Sequence, residues 1–107
     1  WYEHKDQGGP DGMTVDSDGY VWSAIWGGSG VIRIDPKGNV VEKININANQ
    51  TSSCMFGGSS LTDLYVTSAA TPDNLANLPE GTYLGGSLFK VSTNYKGKLE
   101  FETKFEF

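Results

Sequence analysis

Gly9-Pro10-Asp11-Gly12-Met13-Thr14-Val15-Asp16-Ser17-Asp18-Gly19-Tyr20-Val21-Trp22 is the stretch that decides the fold of this chain. It sets one carboxylate, Asp11, in a Pro-Gly frame just ahead of an alternating strand, Met13 to Val15. The strand closes on Asp18-Gly19, a pair that favours a tight hairpin, and a second strand carrying Trp22 follows. A carboxylate at the mouth of a strand, without a basic neighbour in sequence, is a candidate metal ligand.

Reading outward, the strands continue. Tyr20 to Trp26 is aromatic and β-branched and ends at Gly27-Gly28-Ser29-Gly30. Val31 to Ile34 alternates around Arg33 and ends at Asp35-Pro36-Lys37-Gly38, and Asn39 to Ile46 alternates through Val41, Lys43 and Ile44. Four short strands joined by Gly-rich turns predict a meander. No segment has a helical period over a useful length.

The pattern then returns. Cys54-Met55-Phe56 repeats Gly12-Met13-Thr14 at an offset of 42, and Leu64-Tyr65-Val66-Thr67 repeats Val21-Trp22-Ser23-Ala24 at 43. Gly86 to Val91 repeats Gly28 to Ile34 after an insertion, and Gly97-Lys98-Leu99-Glu100-Phe101 supplies a fourth strand. Four strands per unit with a period in the low forties is a propeller-blade pattern. The expected fold class is therefore all-β: two, or two and a half, four-stranded blades of a β-propeller. Residues 1–8 are expected to be the outer strand left from a preceding blade, 9–48 one blade, and 49–107 another with a loop inserted at about 70–84. A propeller closes with roughly four to eight blades. The chain therefore reads as part of a longer protein, or as a unit that assembles, with three copies making a ring of six.

Composition narrows the function classes. The chain has 107 residues and a net charge of −5, with no Lys/Arg cluster, which argues against a nucleic-acid partner. No apolar run reaches the roughly 20 residues of a membrane helix. Cys54 is the single cysteine, so no internal disulfide exists. That suits a reducing, cytoplasmic setting, with secretion left open. Neither an initiator Met nor a signal-peptide pattern opens the chain, which reads as a fragment or processed product.

The Pro10 to Trp22 stretch resembles the senescence marker protein 30 (regucalcin) / gluconolactonase family, which includes luciferin-regenerating enzymes. Gly30 to Gly38, Thr51 to Gly58, Leu64 to Thr67 and Gly85 to Val91 continue the resemblance in order. It implies a six-bladed propeller with a divalent cation in the central channel, calcium first, with zinc, magnesium or manganese open. It also implies hydrolysis of a small-molecule sugar lactone or related ester. By resemblance Asp11 is a metal ligand and the general base. The family's other ligands, a Glu near its start and an Asn in a middle blade, correspond to positions upstream of this segment, so the remaining blades of the same protein would complete the shell. The tail Leu99 to Phe107 departs from the family pattern.

Each candidate has a plainer alternative. Asp11 could bond its own backbone in a turn. Ser53 stands in the repeat where Asp11 stands, two residues before the repeated Met. It is a candidate substrate contact, or a hydroxyl satisfied locally. Asp16 and Asp18 suggest a calcium loop, but Thr14 and Ile25 fall where its other ligands belong, so a hairpin turn is expected. His4 reads as an exposed strand residue and Cys54 as a small apolar filler. Trp22, Trp26, Tyr65 and Phe89 read as inter-blade packing. Two further functions stay open: a non-catalytic repeat module that binds a partner through the 70–84 loop, and an organophosphate- or luciferin-type hydrolase of the same family.

Overall fold

The computed structural model describes residues 1–70 and 86–98; the expected 70–84 loop and most of the expected strand at Gly97 to Phe101 lie outside the described residues. The described chain forms seven strands: β1 (Gly9–Val15), β2 (Val21–Trp26), β3 (Gly30–Ile34), β4 (Val40–Asn45), β5 (Gln50–Gly57), β6 (Asp63–Ala69) and β7 (Leu88–Ser92). β1 to β4 are one antiparallel meander, and β5 to β7 begin a second. Among the described residues one ladder pair, Trp26 with Gln50, and one isolated bridge, Asp16 with Gly97, join them.

The first strand begins well before its apolar pattern indicates. β1 starts at Gly9, so Pro10-Asp11-Gly12 is strand, not a turn before it. Pro10 is tolerated because, among the described residues, β1 pairs only with β2 and needs no amide on its other edge. Residues 1–8 form no strand; Tyr2 packs on the apolar cluster of Ile25, Ile32 and Ile34, and Trp1 Nε1 donates to the Pro36 carbonyl at 2.8 Å. His4 is accordingly half-buried in this segment rather than exposed on a strand, with Nδ1 2.7 Å from the Tyr2 hydroxyl.

The two meanders pack face to face. Trp22, Ala24 and Val31 of the first meet Cys54, Phe56, Leu64 and Val66 of the second, with Ile46 and Ala48 from the connection. Trp22 is fully buried, with its ring edge-on to Phe56 at 5.4 Å and to Tyr95 at 5.3 Å. The opposite face of the first meander carries Ile25, Ile32 and Ile34. β2 and β3 are therefore apolar on both faces, as expected of a blade interior. Trp26 departs from expectation: it ends β2 past the core and is 40% exposed. Tyr65 is half-buried on the far face of the second meander, beside Met55 and Leu88. The sheets converge where β1 and β5 lie side by side. They splay toward β4 and β7, where Glu42, Ile44, Val91 and Tyr95 line a cleft of about 240 Å³.

Candidate functional site

The converging strands carry the candidate residues. In β1 the ladder to β2 slips between Pro10 and Met13, so Asp11-Gly12 is a β-bulge. In β5 the ladder to β6 slips between Thr51 and Ser53, so Ser52 is bulged too. A bulge adds one unpaired residue and re-aims the side chains around it. Both inner strands bulge at matching levels, and both bulges hold oxygen donors.

Asp11 is exposed on its bulge. Its carboxylate differs from those of two other aspartates in turn-like sequence. Asp16 Oδ1 accepts from the Asp18 and Tyr20 amides at 2.9 and 3.1 Å. Asp35 Oδ1 accepts from the Lys37 and Asn39 amides, both at 2.9 Å. Asp11 makes no such bond among the described residues, so the self-bonded turn does not form. No group of three His, Cys, Asp or Glu side chains able to hold a metal occurs among the described residues.

The ladders revise the repeat. Trp22 pairs with Thr14 and Arg33, while Tyr65 pairs with Met55 and Lys90. Tyr65 is thus the counterpart of Trp22, and Met55 of Thr14. Following that register back along β5, Ser52 matches Asp11 and Ser53 matches Gly12. The sequence offset of 42 is corrected to 41 for this pair of strands, because the β5–β6 ladder runs one pair further, to Gly57 with Asp63, than the β1–β2 ladder, which stops at Val15 with Val21. Ser53 nevertheless stays at the site. A Cβ placed on Gly12 would lie 2.6 Å from the Ser53 Cβ and 2.9 Å from the Ser52 carbonyl oxygen, so the inner strands touch beside Asp11. Ser53 also borders an apolar groove of about 450 Å³ with Met55, Tyr65, Thr67 and Leu88. The Ser52 hydroxyl lies 2.8 Å from that of Thr67.

Thr51, one residue before the β5 bulge, was not legible as important. Its hydroxyl is buried, 2.7 Å from the Ile25 carbonyl and 2.8 Å from the Gly30 carbonyl, and it ties β5 to the β2–β3 turn. Asp16 is structural, as the turn reading expects, but more deeply engaged. It is fully buried and also accepts from Trp22 Nε1 at 2.9 Å and Arg33 Nε at 2.8 Å. Burial pushes its carboxyl upward, and the four hydrogen bonds from Trp22, Arg33, Tyr20 and Asp18 more than offset this, leaving it below the ordinary aspartate value. Cys54 is buried as expected, and desolvation holds its thiol at about 12.

Comparison with known proteins agrees with this architecture. The family model described as SMP-30/Gluconolactonase/LRE-like region matches residues 1–70. The chain belongs to this family. It is 41% identical to zebrafish (Danio rerio) regucalcin over 92 residues, which is 82% of this chain and 30% of that protein. To human regucalcin it is 36% identical over 92 residues, 82% of this chain and 29% of that protein. Among solved structures, a luciferin-regenerating enzyme superposes with a TM-score of 0.79 at 30% identity, over 95% of this chain and 34% of the other. Regucalcin from Agrobacterium tumefaciens, described as a calcium-binding protein, superposes with a TM-score of 0.75 at 32% identity, over 87% of this chain and 31% of the other. The chain spans about a third of the length of these relatives. Its meanders are blades of a six-bladed propeller.

Proposed function

We propose that the complete polypeptide is a divalent-metal-dependent hydrolase of sugar lactones or related esters. Residues 9–48 form one blade, 49–107 form the next, and the remaining blades supply the rest of the site. The observation that carries this reading is the Asp11 carboxylate: exposed on a bulged inner strand, and free of the backbone bonds that occupy Asp16 and Asp35. The donors around it suit the group. Asp11, Ser52 and Ser53 offer only hard oxygen atoms, which favour calcium, magnesium or manganese over zinc. Calcium takes six to eight oxygens, so Asp11 is one ligand of several.

When bound, such a cation supplies Lewis-acid polarisation of the ester carbonyl and makes water more acidic. Asp11 then has two tasks. Its carboxylate would be one of the cation's ligands and would accept the proton of the attacking water. The Ser53 hydroxyl, beside Gly12 on the neighbouring inner strand, donates to a substrate oxygen and orients the ring.

The test is Asp11→Ala in the complete polypeptide, assayed with gluconolactone as probe and with calcium added back after chelation. Loss of both turnover and calcium binding is expected. Undiminished turnover, or turnover indifferent to chelator, would overturn the reading and favour a non-catalytic propeller.

A further inference from the structure

The two inner strands approach tightly at Gly12 and Ser53, and the chemistry of that contact is simple. Gly12 has no Cβ, and one built there would overlap the Ser53 hydroxyl oxygen and lie within 3 Å of the Ser53 Cβ and the Ser52 carbonyl. The φ of Gly12 is not in the left-handed region, so the backbone itself would accept alanine. Only the neighbouring strand forbids a side chain. That neighbour is itself held: the Thr51 hydroxyl bridges to the Ile25 and Gly30 carbonyls of the first blade. The β5 bulge is thus pinned to blade one at Thr51, and presses on blade one again at Gly12, one residue from Asp11.

We infer that the β5 segment Thr51 to Ser53, with its bulge at Ser52, is the positioning element for Asp11 and acts through the Gly12–Ser53 contact. The inference rests on the proposed role of Asp11 and adds the device that places it. It makes Ser53 a positioning residue, whatever contact its hydroxyl makes with substrate. A carboxylate on a bulge has freedom that a regular ladder would deny it, and a fixed wall one residue away removes that freedom. Groups that orient a metal ligand without touching the metal typically change affinity by about 10- to 100-fold when altered.

The experiment uses the complete polypeptide and calcium alone, with affinity read by calorimetry and unfolding midpoint read in parallel. Gly12→Ala should weaken calcium binding about 10-fold or more while the protein stays folded. Adding Ser53→Gly to Gly12→Ala removes the overlapping hydroxymethyl group and should recover most of that loss, although Ser53→Gly alone gains nothing. A purely structural contact would move the unfolding midpoint and leave the affinity of the folded protein unchanged. Asp11→Asn is the companion measurement. If Asp11→Asn weakens calcium binding but Gly12→Ala does not, or if Ser53→Gly fails to rescue Gly12→Ala, the positioning role is wrong and the reading of Asp11 stands. If Asp11→Asn leaves calcium binding intact, the reading of Asp11 falls and takes the positioning role with it.

Discussion

Arg33 Nε lies 2.8 Å from Asp16 Oδ2, with the two side chains 8% and 1% exposed. The guanidinium carbon sits 3.8 Å from the Tyr20 ring centre and 4.1 Å from that of Tyr95, so Arg33 is clamped between two blades. The backbone bridge of Asp16 with Gly97, and the Ser17 amide donating to the Lys96 carbonyl at 2.7 Å, close the same seam. Burying this pair is costly, but removing one partner strands the other charge, at about 3–5 kcal/mol. Arg33→Met should lower the stability of the complete polypeptide by about that amount in chemical denaturation. Combining it with Asp16→Asn should cost less than the sum of the two single changes, since no charge is then stranded.

Acid should act through the same carboxylate. Asp16 titrates below its ordinary value when folded, because its hydrogen bonds outweigh burial. Asp35 shifts the same way, chiefly through the Asn39 amide. A depressed folded value means these groups contribute in full above the unfolded value, about 3.9, and lose that contribution as pH falls through the folded value. Stability should therefore be flat from neutral pH toward pH 5 and fall below about pH 4. Asp16→Asn should show a shallower fall. An equally steep fall in that variant would place the acid sensitivity elsewhere.

The Thr51 hydroxyl supports a separate prediction. Thr51→Val keeps the shape but withdraws the hydrogen bonding offered to the buried Ile25 and Gly30 carbonyls and to the Gly30 amide. Leaving buried polar groups short of a partner costs about 1–3 kcal/mol. Thr51→Ser should restore most of it, because the hydroxyl rather than the methyl makes the bonds. Denaturant midpoints of the two variants decide this.

Cys54 should be chemically silent. Its sulfur is buried under Trp22, donating to the Trp22 carbonyl at 3.4 Å, and desolvation holds the thiol at about 12. A thiol in that state has almost no thiolate near neutral pH. Alkylation at pH 8 should proceed only after unfolding, and rapid labelling of the native protein would show that the blade interface opens.

Much of this was legible in the sequence because turn chemistry is local. Asp18-Gly19, Gly27 to Gly30 and Asp35 to Gly38 mark hairpins that the structure contains, with positive φ at Gly19, Gly27 and Gly38. Asp11 stood out as a candidate through its motif. What failed were features set by pairing across the sheet. Pro10-Asp11-Gly12 has the composition of a turn, and only its partners on β2 make it a bulged strand. The repeat register slipped because five residues separate the paired Val15 and Val21, whereas seven separate the corresponding Phe56 and Leu64. The Asp16–Arg33–Tyr95 clamp draws on three distant segments, and the described residues of the second blade do not repeat it. There Lys90 stands in the place of Arg33 and reaches Asp63 at 3.8 Å on the surface.

Asp11 and Asp16, five residues apart, should respond to substitution in opposite ways. Asp16 is buried with its hydrogen-bonding capacity used, so losing its charge damages the fold. Asp11 is exposed, and none of the described residues bonds its carboxylate. Asp11→Asn should therefore leave metal-free stability within about 0.5 kcal/mol of the parent. Calcium should separate the two proteins. A ligand that binds only the folded state stabilises it by about 2.7 kcal/mol at 100 times its Kd. The parent should gain that increment, measurable as a rise in unfolding midpoint that chelator reverses, and Asp11→Asn should gain little at the same concentration. If Asp11→Asn instead weakened the metal-free protein by 2 kcal/mol or more, beyond the usual range for an exposed substitution, the carboxylate would be serving the fold and not an ion.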